Sequence, residues 1–161
     1  MRAAVVTVSD GVHAGVREDR SGELLAELLS GEGYEVSRSV VPDEAQAIAA
    51  AIREACDGGA LLVVTTGGTG FAPRDVTPEA TRTVIDREAP GLAEAIRADA
   101  RLRTPHALLS RGVAGLRGAT VVVNLPGSPG GCRDGWTVVQ PALRHAIELA
   151  GGDTATLHRQ T

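Results

Sequence analysis

From Ala60 to Ala80 the chain reads Ala-Leu-Leu-Val-Val-Thr-Thr-Gly-Gly-Thr-Gly-Phe-Ala-Pro-Arg-Asp-Val-Thr-Pro-Glu-Ala. The run Ala60–Thr65 is continuous and apolar up to its last residue, which predicts a strand covered on both faces, as in a parallel sheet. It opens into a loop of small residues, presents Arg74 and Asp75, and then enters a helix. Thr77 is placed to cap that helix, with Pro78 in its first position. A second strand-to-loop passage follows the other strongly apolar stretch, Ala119–Asn124, and reads Asn124-Leu125-Pro126-Gly127-Ser128-Pro129-Gly130-Gly131.

Working outward, Ala3–Ser9 is a compact run rich in β-branched residues that ends in a turn. The polar stretch Asp10–Arg20 predicts an exposed loop. Ser21 is a candidate cap for a helix with Leu24, Leu25, Leu28 and Leu29 on one face. Tyr34–Val41 predicts a second strand. The next helix turns Ala45, Ile48, Ala49, Ile52 and Cys56 inward. A helix after Pro90 turns in Leu92, Ala95, Ile96 and Ala100, and Thr104–Gly118 reads as short strands and turns. Trp136, Val139, Leu143, Ile147 and Ala150 line the last helix, with Pro141 close to its start. Strands alternating with helices predict a three-layer α/β/α sandwich with a mainly parallel sheet. Residues 1–152 form the domain in this reading, and residues 153–161 a polar C-terminal tail.

The composition sets limits. The chain has 161 residues, a formal net charge of −4, 43% apolar residues and 2% aromatic ones, so Ala, Val and Leu must fill the core. This balance argues against a broad nucleic-acid surface. No apolar run reaches transmembrane length, so the expectation is a cytoplasmic protein with no membrane partner. Cys56 and Cys132 have no ligand-like spacing and read as passive, reduced thiols, Cys56 buried and Cys132 in the glycine loop. The histidines at 13, 106, 145 and 158 form no metal pattern, and the role of His106 stays open. There is no Gly-x-Ser-x-Gly elbow.

Ligands of parallel sheets gather beyond the carboxyl ends of the strands. Four loops end there in this reading: Asp10–Arg20, Pro42-Asp43, Gly67–Val76 and Leu125–Asp134. In Gly67, Gly68, Thr69 and Gly70 the lack of bulk lets backbone N–H groups approach phosphate oxygens, with the Thr69 hydroxyl as a further donor; a tight turn is the alternative. The string is not a P-loop, because no Gly-Lys-Ser/Thr ending follows. Arg74 offers a guanidinium either to a phosphoryl group or to a surface ion pair. Asp43 and Asp75 each follow a predicted strand, and paired carboxylates beside a polyphosphate suit bound magnesium. Asp43 also has Gln46 three positions on, a capping-box spacing, so cap and catalysis compete. At Asp75 the neighbouring Thr77 already supplies a cap. Ser9, Asp10, Asp19 and Ser21 are candidates for the rim of the pocket, or for turns and caps. The rigid turn Pro126-Gly127-Ser128-Pro129 would hold the Ser128 hydroxyl toward a ligand, or serve as a connector.

These pieces together resemble the molybdopterin adenylyltransferase family of molybdenum cofactor biosynthesis, the MogA/MoaB-like proteins. The matching residues are Thr7-Val8-Ser9-Asp10, Asp19 with Ser21-Gly22, Pro42-Asp43, Thr65–Gly70 with Arg74–Ala80, Pro90-Gly91, Thr104-Pro105 through Leu109-Ser110-Arg111, and Asn124–Gly131. They run in family order over nearly the whole chain. The resemblance implies an ATP-dependent nucleotidyltransferase: Mg-ATP and molybdopterin give adenylyl-molybdopterin and pyrophosphate. It implies Asp43 and Asp75 as catalytic and magnesium-associated, and Gly67, Gly68, Thr69, Gly70 and Asp10 on the nucleotide. Ser110, Pro126, Gly127 and Ser128 fall on the molybdopterin. It also implies a homo-oligomer, a trimer in preference to a hexamer, that hands its product to a molybdenum insertion protein.

Some positions depart from the family pattern. Leu92 and Ile96 stand where members often have Phe and Met. Gly131 stands where many have Lys, and Arg133 is the nearest cation that could replace it. Besides the enzyme, two readings remain at this level: a molybdopterin-binding protein that does not transfer, and a structural subunit using only the fold.

Overall fold

The computed structural model describes residues 1–152; the tail 153–161 lies outside the described residues. Six strands make one sheet: β1 (Arg2–Val8), β2 (Glu35–Val41), β3 (Leu62–Thr66), β4 (Arg87–Glu88), β5 (Ala114–Arg117) and β6 (Thr120–Leu125). Their order is β2-β1-β3-β6-β5-β4. The pairs β1–β2, β1–β3 and β3–β6 are parallel, while β5 pairs antiparallel with both β6 and β4. The sheet is thus mainly parallel, with an antiparallel edge.

The helices are α1 (Asp10–His13), α2 (Arg20–Gly31), α3 (Ala45–Asp57), α4 (Thr77–Arg82), α5 (Pro90–Arg101) and α6 (Pro129–Ala150), with a 3-10 turn at Pro105–Leu109. Alternation along β1 divides the core into two layers. Ala3 and Val5 pack with Leu25 and Leu29 of α2, Ile96 of α5, and Trp136, Val139 and Leu143 of α6. Ala4, Val6 and Val8 pack with Ile48 and Ile52 of α3 and Ala80 of α4 on the other face. Leu62 and Val63 of β3 have no exposed surface and face opposite layers. Truncating Leu62 to Ala should therefore cost about 3 kcal/mol. Among the described residues no helix is long and apolar enough to cross a membrane.

Several sequence expectations are corrected in detail. The Asp10–Arg20 stretch contains the short helix α1, because the Ser9 hydroxyl accepts from the Val12 N–H and caps it. Asp19, not Ser21, caps α2: its carboxylate accepts from Gly22 N–H at 3.0 Å and from the Thr7 hydroxyl at 3.0 Å. Ala45 and Ala95 are exposed. The inward face of α5 is set by Ile96, so the residue three before it, Ala93, is buried instead of its immediate neighbour. Cys56 is only half-buried, and Cys132 is wholly buried inside α6 instead of lying in a loop. Helix α6 begins at Pro129, because Ser128 is its cap and Pro129 its first residue. Pro141 therefore lies well inside the helix. It is exposed, as is Thr137, whose carbonyl loses its usual partner and can turn to water.

Candidate functional site

The parallel strands β1, β2, β3 and β6 all end on the same side of the sheet, and their following loops meet there. The chain leaves β1 toward β2 on one side, and β3 lies on the other, so a crevice opens between β1 and β3. The loop after β3 sits in it. Gly67 and Gly68 have φ of 96° and 66°, a region that side chains avoid. A Cβ on Gly67 would collide with the Val8 carbonyl oxygen, and one on Gly68 with the Thr77 hydroxyl. A Cβ on Gly127 would lie 3.3 Å from the Gly67 Cα, so the loops after β3 and β6 cross backbone to backbone. Thr77 is the first residue of α4 and not its cap. Its buried hydroxyl donates to the Gly67 carbonyl at 2.8 Å, spending itself on the loop.

Two cavities flank this crossing. The first, about 610 Å³, is lined by Ser9, Ser21, Asp43, Gly67, Gly68, Asp75, Gly127 and Ser128, with Arg17 and Arg20. The second, about 640 Å³, is lined by Thr69, Gly70, Ser110, Pro126 and Gly131 together with apolar surface from Ile96, Ala107 and Leu109. Asp99, Arg103, His106 and Asp134 also line it. Gly68, Asp75, Gly127 and Ser128 belong to both. One cavity is polar and the other has an apolar wall, and the pair touch over a partition of four residues.

The acidic residues divide by partner. Asp43 does not cap α3, whose cap residue is Glu44 and which has no side-chain cap bond. Its carboxylate instead accepts from the Asp10 N–H at 2.8 Å. Arg74 is not a free guanidinium: it forks onto the Asp10 carboxylate at 2.6 and 2.9 Å. That fork, with the Asp43 N–H as a further donor, holds the Asp10 carboxyl below its ordinary range. Asp10 does not line either cavity; it stands behind Asp43 as a brace. Asp19 is likewise drawn away, to its helix cap and to Arg38 at 2.7 Å. Asp75 accepts from the Ala72 N–H at 2.9 Å and faces both cavities.

Among the described residues no three His, Cys, Asp or Glu are grouped to hold a metal ion. What the site does present is two carboxylates, Asp43 and Asp75, on the wall of one cavity. Hard oxygen donors, few in number and beside a glycine loop, fit a magnesium ion that completes its shell with phosphate oxygens and water.

On the β6 side, Ser128 accepts from the Gly131 N–H at 3.1 Å. A Cβ at Gly131 would lie 2.9 Å from both Pro126 Cβ and Ser128 Oγ, so a longer residue would require the turn to move. Arg133 is exposed and lines neither cavity, which removes it as a substitute cation there. Below the turn the buried Cys132 thiol reaches the Pro126 carbonyl at 3.0 Å and the Thr66 hydroxyl at 3.2 Å. Burial pushes that thiol up to about 11 and makes it a poor nucleophile.

The sequence reading missed Asp99, Arg103 and Asp134 in the second cavity. The signal was available for the first pair, which are four apart, Asp99 in the last turn of α5 and Arg103 just past its end, and form an ion pair.

Comparison with known proteins bears on this geometry. The family described as "Probable molybdopterin binding domain" matches residues 4–145. MoaB of Thermus thermophilus, a molybdopterin biosynthesis enzyme, superposes with a TM-score of 0.88 at 48% identity, covering 94% of this chain and 96% of that one. A molybdopterin adenylyltransferase of Helicobacter pylori is 39% identical over 92% of this chain and 87% of its own length. The Drosophila melanogaster molybdenum cofactor synthesis protein cinnamon is 40% identical over 96% of this chain, which spans only 26% of the fly protein.

Proposed function

This chain belongs to the molybdopterin-binding-domain family of molybdenum cofactor biosynthesis, and from that premise we propose that it is a molybdopterin adenylyltransferase. The observation that carries the reading is the partition: a polar cavity and a partly apolar one share Gly68, Asp75, Gly127 and Ser128. A transfer between two bound substrates needs such a shared wall. ATP takes the polar cavity along the glycine loop, and molybdopterin takes the cavity lined by Ser110, Pro126, Gly127 and Ser128.

The phosphate of molybdopterin attacks the α-phosphorus of ATP. A new P–O bond forms, the bond from that phosphorus to the bridging oxygen breaks, and pyrophosphate leaves. The nucleophile belongs to the substrate, so the protein contributes position and charge. The Gly68 N–H, on the shared wall, holds phosphate oxygens, while the Gly67 N–H is already given to the Leu125 carbonyl and Thr69 and Gly70 face the second cavity; Ser128 orients the incoming pterin phosphate. Asp43 and Asp75 would hold magnesium, which supplies charge neutralisation at the phosphates when bound. Asp10 acts through Asp43 as a brace and not as a nucleotide contact. The family resemblance also supports a homotrimer in the cytoplasm that passes its product to an insertion protein; sedimentation velocity reads the first of these.

The decisive experiment mixes the protein with molybdopterin and Mg-ATP and follows adenylyl-molybdopterin and pyrophosphate together. Formation of both in equal amount, lost in Asp75→Ala, is the expected result. Molybdopterin binding without either product would instead leave a carrier that does not transfer.

A further inference from the structure

We propose that Arg111 is the positioning residue that fixes the glycine loop and the Asp75 carboxylate, an inference that rests on the transferase reading. The loop over residues 67–76 is anchored at Gly67 and Gly68, through the Leu125 carbonyl and Thr77, and at Arg74, through Asp10, which leaves Thr69–Pro73 and Asp75 still to be placed. Two of its residues are glycines at positive φ, and two of its hydrogen bonds close on the loop itself. Asp75 N–H donates to the Ala72 carbonyl at 2.9 Å, and the Asp75 carboxylate accepts from Ala72 N–H at the same distance. Such bonds shape the turn but do not place it against the sheet.

Arg111 does place it. Its backbone N–H donates to the Thr69 carbonyl at 2.8 Å. Its Nε donates to the Gly70 carbonyl at 2.8 Å, and its Nη2 to the Asp75 carbonyl at 2.6 Å. One residue thus takes three carbonyls from the two limbs of one loop. The guanidinium also pairs with Glu79 in the first turn of α4, and that ion pair holds the Glu79 carboxyl below its ordinary range. Loop and helix start are clamped as one body.

The chemistry requires arginine. A planar fork reaches two carbonyls and a carboxylate at fixed angles, whereas a lysine ammonium is a single point on a flexible stem. Arg111 lines neither of the two cavities, so it acts through the loop and does not touch substrate. Its neighbour Ser110 does line the second cavity. One dipeptide therefore joins the pterin side to the loop that carries Asp75. A Cβ on Gly70 would lie 2.8 Å from the Asp75 carboxylate, so holding the Gly70 and Asp75 carbonyls fixes both members of that contact.

The test compares Arg111→Lys with Glu79→Gln, reading hydrogen–deuterium exchange over residues 67–76 and steady-state transfer. For Arg111→Lys, exchange in the loop should rise about tenfold or more while β3 and β6 stay protected. Its kcat should fall about tenfold or more, with KM for molybdopterin within about threefold of wild type. Glu79→Gln keeps the three carbonyl contacts, so both readings should stay within about threefold. Wild-type loop protection and kcat in Arg111→Lys would overturn the proposal. So would an equal loss of protection through β3 and β6, the mark of an ordinary stabilising arginine. If Arg111→Lys does not fold, Arg111→Gln, which retains one side-chain donor, is read by the same criteria. A wild-type protein that makes no adenylyl-molybdopterin would overturn the transferase reading, while loop exchange would still decide the clamp.

Discussion

Asp10 and Asp43 exchange hydrogen bonds: each carboxylate accepts from the other's backbone N–H, at 3.0 Å to Asp10 and 2.8 Å to Asp43. The loops after β1 and β2 are latched together by this reciprocal pair, and Arg74 adds the loop after β3 by forking onto Asp10. Three strand ends are thus registered through one carboxylate that does not itself face the cavities.

That latch is sensitive to acid. The Asp10 carboxyl sits lower in the native protein than its ordinary value of 3.8, first because of Arg74 and then because of the Asp43 N–H. The unfolded chain therefore takes up the proton more readily. The stabilisation is present above 3.8 and is lost as pH falls through the lower native value. Asp10→Asn lacks this contribution, so its deficit in melting temperature should be constant near neutrality and shrink in acid. Parallel thermal melts across that range check it; a deficit independent of pH would contradict the assignment.

Asn124 makes a different kind of bet. It is 3% exposed, and its amide donates to the hydroxyls of Thr65 at 2.9 Å and Thr81 at 3.0 Å while accepting from Val113 N–H at 3.1 Å. Asn124→Leu would strand these partners in the core. The expected loss is about 3 kcal/mol of unfolding free energy, measured by urea titration. A loss below about 1 kcal/mol would mean that the strand end relaxes enough to rehydrate.

The buried thiol at Cys132 should be slow to alkylate. Its pKa of about 11 leaves little thiolate at pH 8, and burial removes access. Iodoacetamide should label Cys56 before Cys132 in the native protein and both equally in denaturant, read by peptide mass. The raised value also makes a stability statement: its contribution is intact below the ordinary 9.0 and lost as pH rises through about 11. Cys132→Ala should therefore show a shallower alkaline loss of stability than wild type.

Gly67→Ala tests the crossing of the two loops. The substitution meets the Val8 carbonyl oxygen and places a side chain at φ 96°. A destabilisation of about 2 kcal/mol or more is expected, with weakened ATP binding by calorimetry. Gly118→Ala, also at positive φ but with open space around its Cβ, controls for backbone strain alone.

Much of the architecture was legible. The unbroken apolar runs at Ala60–Thr65 and Ala119–Asn124 read as strands buried on both faces, and β3 and β6 are indeed neighbours at the centre of the sheet. The loops after them were readable as a site because glycine and proline announce backbone geometry. Side-chain allegiance was harder. Asp10 reads in sequence as a candidate for the pocket beside Asp43 and Asp75, yet it is spent on Arg74 while the other two face the cavity, and the Arg74 contact that separates it lies more than thirty residues away. Caps misled for the same reason. Thr77 and Asp43 have cap-like spacing, but Thr77 turned back to the start of its own loop at Gly67 and Asp43 found Asp10 on another loop. The short β4 was invisible because two residues carry no period.

The close passage of Gly127 over Gly67 has a consequence for how such a protein can diversify. Where two main chains touch with nothing between them, there is no side chain to enlarge, shrink or recharge, and so no gradual route to a different partition. Variation is confined to the outer walls, where Asp99, Arg103, His106 and Asp134 meet the second cavity on helix and turn surfaces. A library aimed at new pterin-like substrates should be spent there, with the glycine crossing left as the hinge pin of the design.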